Sequence, residues 1–145
     1  MFDVEKMFDF CCKEIMLFAN DHKDEIFYGF SIDAGYLCLN SEERFEECLK
    51  YYKSNFKGYD NEDEIQSLKR NTGDWEYQGF AEMFFENGFD EHAYADHYEM
   101  SKEKQKESEY AQAVDALVEK LSKSDVFKFL NTTKDFYVNR VEHDY

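Results

Sequence analysis

Between Glu25 and Tyr77 the apolar positions of this chain change period. Ile26, Tyr28, Phe30 and Ile32 recur at every second residue, the pattern of a strand with one buried face. Asp33-Ala34-Gly35 then supplies a turn in which glycine offers the positive φ of a tight hairpin, and Tyr36-Leu37-Cys38-Leu39 returns. The two runs predict an antiparallel hairpin. From Asn40-Ser41 the spacing lengthens: Phe45, Cys48, Leu49, Tyr52 and Phe56 fall on one helical stripe that ends before Gly58. Asn40 or Ser41 caps this helix, and Glu43, Glu46, Glu47, Lys50 and Lys53 take its exposed face.

The flanks carry further helices. Val4, Phe8, Cys11, Ile15 and Phe18, widened by Met7 and Leu17, predict an amphipathic first helix that ends near Asn20-Asp21-His22, with His22 facing solvent in the loop. Gly58 to Glu64 reads as an acidic loop, Ile65 to Arg70 as a short helical turn. Trp75 and Tyr77 point the same way if that segment is extended, and Trp75 is read as core packing with an exposed interface anchor as the alternative. Phe80, Met83, Phe84 and Phe85 form a second apolar group, and Asn87-Gly88 ends a helix. Tyr110, Val114, Leu117 and Leu121 predict a long core-facing helix, Ser124-Asp125 a shorter one, and Phe136 to Val141 a terminal strand joining the hairpin's sheet, with His143 exposed beyond it. The fold class expected is α+β: one domain over 1–145, a small, mostly antiparallel sheet packed against three to four helices.

Charge narrows the function. The chain has 33 acidic and 17 basic side chains, a formal net charge of -16, which disfavours nucleic acid and anionic membranes and favours basic partners. Aromatic residues make up 19% of it, too many for a disordered acidic segment. Charges punctuate Met1 to Asn20, and no apolar run approaches membrane-spanning length, so no leader is expected and a cytoplasmic location is. Four cysteines without a CxxC spacing predict buried, reduced thiols rather than zinc ligands or a nucleophile.

Candidate chemistry is sparse. Asp60, Glu62 and Glu64 alternate as calcium ligands do, but the loop lacks the glycine and distal glutamate of an EF-hand. His92 and His97 lie five residues apart, about 140° around a helix, and only His92 with Asp96 keeps the i,i+4 relation a zinc helix uses. The expectation is a polar helix face, with no metal, cofactor or catalytic residues.

One resemblance adds to this. Phe27-Tyr28-Gly29-Phe30, then Leu39-Asn40-Ser41-Glu42-Glu43, then Asp74-Trp75-Glu76-Tyr77 resemble the FYAF-like, NTEE-like and EW-Y-like motifs of an uncharacterised bacterial domain family, over roughly residues 5 to 145. Ser41 stands where that family usually has Thr, and Asp74 where it usually has Glu. Such proteins are similar to the immunity proteins of polymorphic toxin and contact-dependent inhibition systems. The resemblance implies a protein that binds a cognate toxin C-terminal domain and occludes its active site without turnover. For a basic partner the expected contacts are Tyr59, Asp60, Glu62, Asp63, Glu64, Asp74, Glu91 and Asp96. The alternatives are an acidic decoy of a nucleic-acid-binding protein and a small hydrolase using His92 or His97 with Glu91 or Asp96.

Overall fold

The structure, a computed structural model, describes residues 2–83 and 91–142, with side chains from Ala95 onward in the second stretch. Its elements are α1 (Val4–Asp21), β1 (Ile26–Asp33), β2 (Tyr36–Ser41), α2 (Glu42–Asn55), α3 (Glu62–Arg70), β3 (Tyr77–Glu82), α4 (Glu91–Glu99), α5 (Lys102–Gln105), α6 (Glu109–Lys123) and β4 (Asn131–Val141). The strands form one sheet in the order β3-β2-β1-β4. Pairing is antiparallel except between β1 and β4, which run parallel. The fold is α+β, with six helices among the described residues against the three or four expected. α4 falls where a polar helix face was expected, and the single turn α5 forms in the charged stretch ahead of α6.

Each face of the sheet carries its own core. On one, Phe27, Phe30, Ile32, Leu37 and Leu39 pack against Met7, Cys11 and Ile15 of α1 and Val114, Leu117 and Leu121 of α6. On the other, Tyr28 and Cys38 meet Phe45 of α2, Leu68 of α3 and Trp75. Strands sandwiched this way are buried on both sides, and every residue of β1 after Ile26 is buried. The expected stripe of Ile26, Tyr28, Phe30 and Ile32 is therefore corrected. Tyr28 is an extra residue opposite β2, since Phe27 pairs with Ser41 and Gly29 with Asn40. Such a bulge moves every later side chain to the other face, so Phe27 shares a core with Phe30 while Ile26 faces solvent. The same site opens β4, where Thr132 pairs with Phe27 and Tyr137 with Gly29.

Other expectations shift for local reasons. Leu17 is exposed, whereas Met7 is fully buried. His22 stacks on Phe18 at 3.9 Å, with Nδ1 2.7 Å from the Phe18 carbonyl, so it is half-buried rather than facing solvent. Glu62, Asp63 and Glu64, expected in a loop, form the first turn of α3, where carboxylates oppose the positive end of the helix dipole. Phe80 lies in β3, and the helix end expected at Asn87-Gly88 lies outside the described residues, as does His143.

Trp75 is buried, as expected. Its indole Nε1 donates to the Lys69 carbonyl at 2.9 Å, which also accepts the Tyr28 hydroxyl at 2.8 Å. One orphan carbonyl in the last turn of α3 thus ties that helix to the sheet twice. Trp75 and Tyr77 belong to opposite cores, because β3 begins only at Tyr77 and strand alternation does not reach Trp75.

Glu25, just ahead of β1, knots three elements together. The Ser41 and Tyr77 hydroxyls each donate to its carboxylate at 2.6 Å, and Arg44 lies 3.4 Å away. Burial pushes this carboxyl up, but the two hydroxyls and the Arg44 charge outweigh it and hold the group below its ordinary value of 4.5. A depressed folded value contributes stability that is present above about pH 4.5 and is lost as pH falls through the folded value. Glu25→Gln is expected to lower the urea midpoint at neutral pH and to lose less of it on acidification than the native chain. Superimposable acid limbs would remove Glu25 from the account.

Candidate partner-binding surface

The last turn of α2 leads into an aromatic cluster. Phe56 follows the helix in an extended conformation, φ -136° and ψ 155°, so it leaves the core-facing stripe on which its spacing had put it. Its ring lies 5.3 Å from that of Tyr52, which in turn lies 5.0 Å from Tyr59 and 5.7 Å from Tyr51. Tyr51 is 59% exposed and Phe56 53%. Two large rings at that exposure, side by side, are a surface that water does not favour.

Carboxylates border these rings. Tyr52, Tyr59, Glu64 and Asp74 line a small notch of about 210 Å³ between α2, α3 and the turn before β3, closed by Leu68 and Asn71. The Tyr52 hydroxyl donates to Asp74 Oδ1 in a short hydrogen bond, and Asn71 Nδ2 donates to Asp74 Oδ2 at 2.6 Å. The Asp74 carboxylate first, and desolvation next, push the Tyr52 phenol up to about 12, so it remains a donor at neutral pH. Aromatic faces beside fixed carboxylates suit a lysine or arginine side chain, which gains both ring and charge contacts.

The candidate contacts named from sequence divide accordingly. Tyr59, Glu64 and Asp74 meet in the notch, and Asp60 is exposed in the loop beside Tyr59. Glu62 accepts from Gln66 Nε2 at 3.0 Å, and Asp63 borders a shallow hollow with Arg70. Glu91 and Asp96 belong to α4, which packs on α6 in the layer across the sheet. They do not join the others. Sequence reasoning missed Tyr51 and misassigned Phe56; the signal available was the Asn55-Phe56-Lys57-Gly58 helix ending, which frees the residue after Asn55.

His97 departs from its expected polar face. It is fully buried, with Nδ1 2.5 Å from Ser108 Oγ, Nε2 3.1 Å from Glu142 Oε1, and its ring 4.5 Å from that of Tyr110. A serine, a histidine and a glutamate in a row have the order of a catalytic triad. Here Ser108 is 4% exposed, and its Oγ accepts the Ala111 amide at 3.0 Å as the cap of α6. His97 and Ser108 are both buried, and the row joins α4, the start of α6 and the residue after β4. Asp96 is not among these partners of His97, and the side chains of Glu91 and His92 lie outside the description.

Among the described residues no three His, Cys, Asp or Glu side chains are grouped to hold a metal ion, and no helix is long and apolar enough to cross a membrane. The four cysteines are free thiols. Burial raises Cys11 strongly and Cys38 to about 12, and burial followed by nearby carboxylates raises Cys12 and Cys48. A thiol held protonated is a poor nucleophile. Reaction with a disulfide reagent near about pH 8 is expected to be at least about tenfold slower in the native chain than in denaturant. A fast native thiol would mark a reactive site.

Comparison with protein-family models, curated proteins and solved structures found no match.

Proposed function

We propose that this chain is a stoichiometric binding protein that neutralises a basic toxin domain by covering its active-site cleft, as immunity proteins of bacterial polymorphic toxin systems do. The observation that carries the reading is the aromatic cluster of Tyr51, Tyr52, Phe56 and Tyr59 bordered by Asp60, Glu64 and Asp74. Tyrosine and phenylalanine supply the central anchor of such an interface. The excess of 33 acidic over 17 basic side chains steers a cationic partner toward it. The motif resemblance, from Phe27-Tyr28-Gly29-Phe30 to Asp74-Trp75-Glu76-Tyr77, supplies the toxin as the partner. Such a protein works in the cytoplasm of the cell that makes the toxin.

The test is co-expression with the C-terminal domains encoded beside this chain's gene. A one-to-one complex that rescues growth and weakens as salt rises supports the reading. Failure of every such domain to bind would remove it.

A further inference from the structure

We propose that the cleft between α3 and β4 is a binding site for a small organic anion with a flat body, its charged group held by Arg70 and its ring lying on Tyr137. The cleft encloses about 420 Å³, within the range of small-ligand sites. It shares no residue with the aromatic notch. Gln66, Lys69 and Arg70 face it, whereas Glu64, Ser67, Leu68 and Asn71 face the notch from the other side of α3.

The floor is already organised. Tyr28 donates to the Lys69 carbonyl and accepts from Asn40 Nδ2, both at 2.8 Å, and Asn139 Oδ1 accepts from Ser31 Oγ at 2.5 Å. Lys69 Nζ lies 4.7 Å above the Tyr28 ring and is held by both oxygens of Glu42 at 2.9 and 3.1 Å. Its charge is committed. Arg70 is different: among the described residues its guanidinium forms no hydrogen bond or ion pair, and it is exposed at the cleft wall. The Tyr137 hydroxyl and the Asn139 amide nitrogen likewise donate to no described residue. Desolvation pushes the Tyr137 phenol up to about 12, so it stays a donor at neutral pH. A chain of net charge -16 thus keeps an uncommitted cation and two neutral donors around one hollow.

The same cleft has a platform. A Cβ on Gly29 would stand 2.7 Å from Tyr137 Cζ and 3.0 Å from both Cε atoms. Near-equal distances put one face of the ring on the glycine, and the ring also borders the cleft. A planar fork beside an aromatic face selects a carboxylate or phosphate joined to a ring. Asp135, exposed on the rim, carries a carboxylate that repels an anion. That orients the ligand with its charged group at Arg70 and a donor toward Asp135.

Titration of the full chain with benzoate, adenosine monophosphate, inorganic phosphate and benzamidine, followed by calorimetry and amide NMR, tests this. At least one of the two flat anions is expected to saturate, about tenfold or more tighter than inorganic phosphate, and benzamidine is not expected to bind. The tighter of the two assigns the group as carboxylate or phosphate. Arg70→Ala, at an exposed position, is expected to weaken binding about tenfold or more, and Arg70→Lys to recover only part of it. Unsaturable titrations with both flat anions, equal binding by Arg70→Ala, or equal binding of benzamidine would each overturn the proposal. Partner binding through the aromatic notch stands or falls separately.

Discussion

Replacing Tyr51 and Phe56 together by alanine is expected to weaken the complex with a basic partner about 100-fold while leaving the fold intact. Anchoring aromatics lose about 2 kcal/mol or more when truncated, and about 2.7 kcal/mol corresponds to two decades of affinity. Both rings are more than half exposed in the free protein, so their removal opens no cavity, and the urea midpoint is expected to move little. Glu64→Gln supplies the electrostatic counterpart. It leaves the rings in place and is expected to slow association and flatten its salt dependence. Asp74 is a poorer probe, because its carboxylate also holds the Tyr52 hydroxyl and Asn71. Unchanged affinity in the double variant would move the interface elsewhere on the acidic surface, even if a toxin partner were in hand.

The second large effect lies in the sheet. Phe27→Ala is expected to cost about 3–5 kcal/mol, a large part of what a domain of this size has, whereas Ile26→Ala costs about 0.5 kcal/mol. Phe27 is fully buried against Phe18 at 5.4 Å, while Ile26, its neighbour, is 45% exposed. Strict alternation through Phe30 and Ile32 would reverse the order, putting Ile26 in the core. Urea unfolding of the two variants reads the bulge directly: comparable losses, or a larger one at Ile26, would mean that Tyr28 is not the extra residue.

That contrast marks what periodicity can reveal. The hairpin, α1, α2, α6 and the terminal strand all follow from apolar spacing and caps, and Ser41 does cap α2, accepting the Arg44 amide at 3.2 Å. A bulge adds one residue without altering composition, so Ile26 and Tyr28 continue an unbroken stripe on paper while their faces change. Nor does spacing predict partners that arrive from afar. His97 is buried because Ser108 and Glu142 satisfy both ring nitrogens, from 11 and 45 residues away. The notch was half legible: Tyr59, Glu64 and Asp74 come from charge and loop position, but its exposed rings come from where α2 stops. The α3–β4 cleft was not legible, since it depends on Tyr137 crossing Gly29 in a parallel pairing between residues 108 apart in the chain.

That parallel pairing governs how the molecule is born. β1 lies inside the sheet, yet one of its two neighbours is the last strand, Asn131–Val141, more than 90 residues downstream. While the ribosome is still translating the intervening helices, the hairpin shows a bare row of amides and carbonyls along β1, beside Phe27 and Phe30 with no α6 to cover them. Open edges of this kind recruit other chains. The nascent protein therefore depends on whatever shields that edge during synthesis, and its crowd of carboxylates, repelling sister chains on the same message, is well suited to the task.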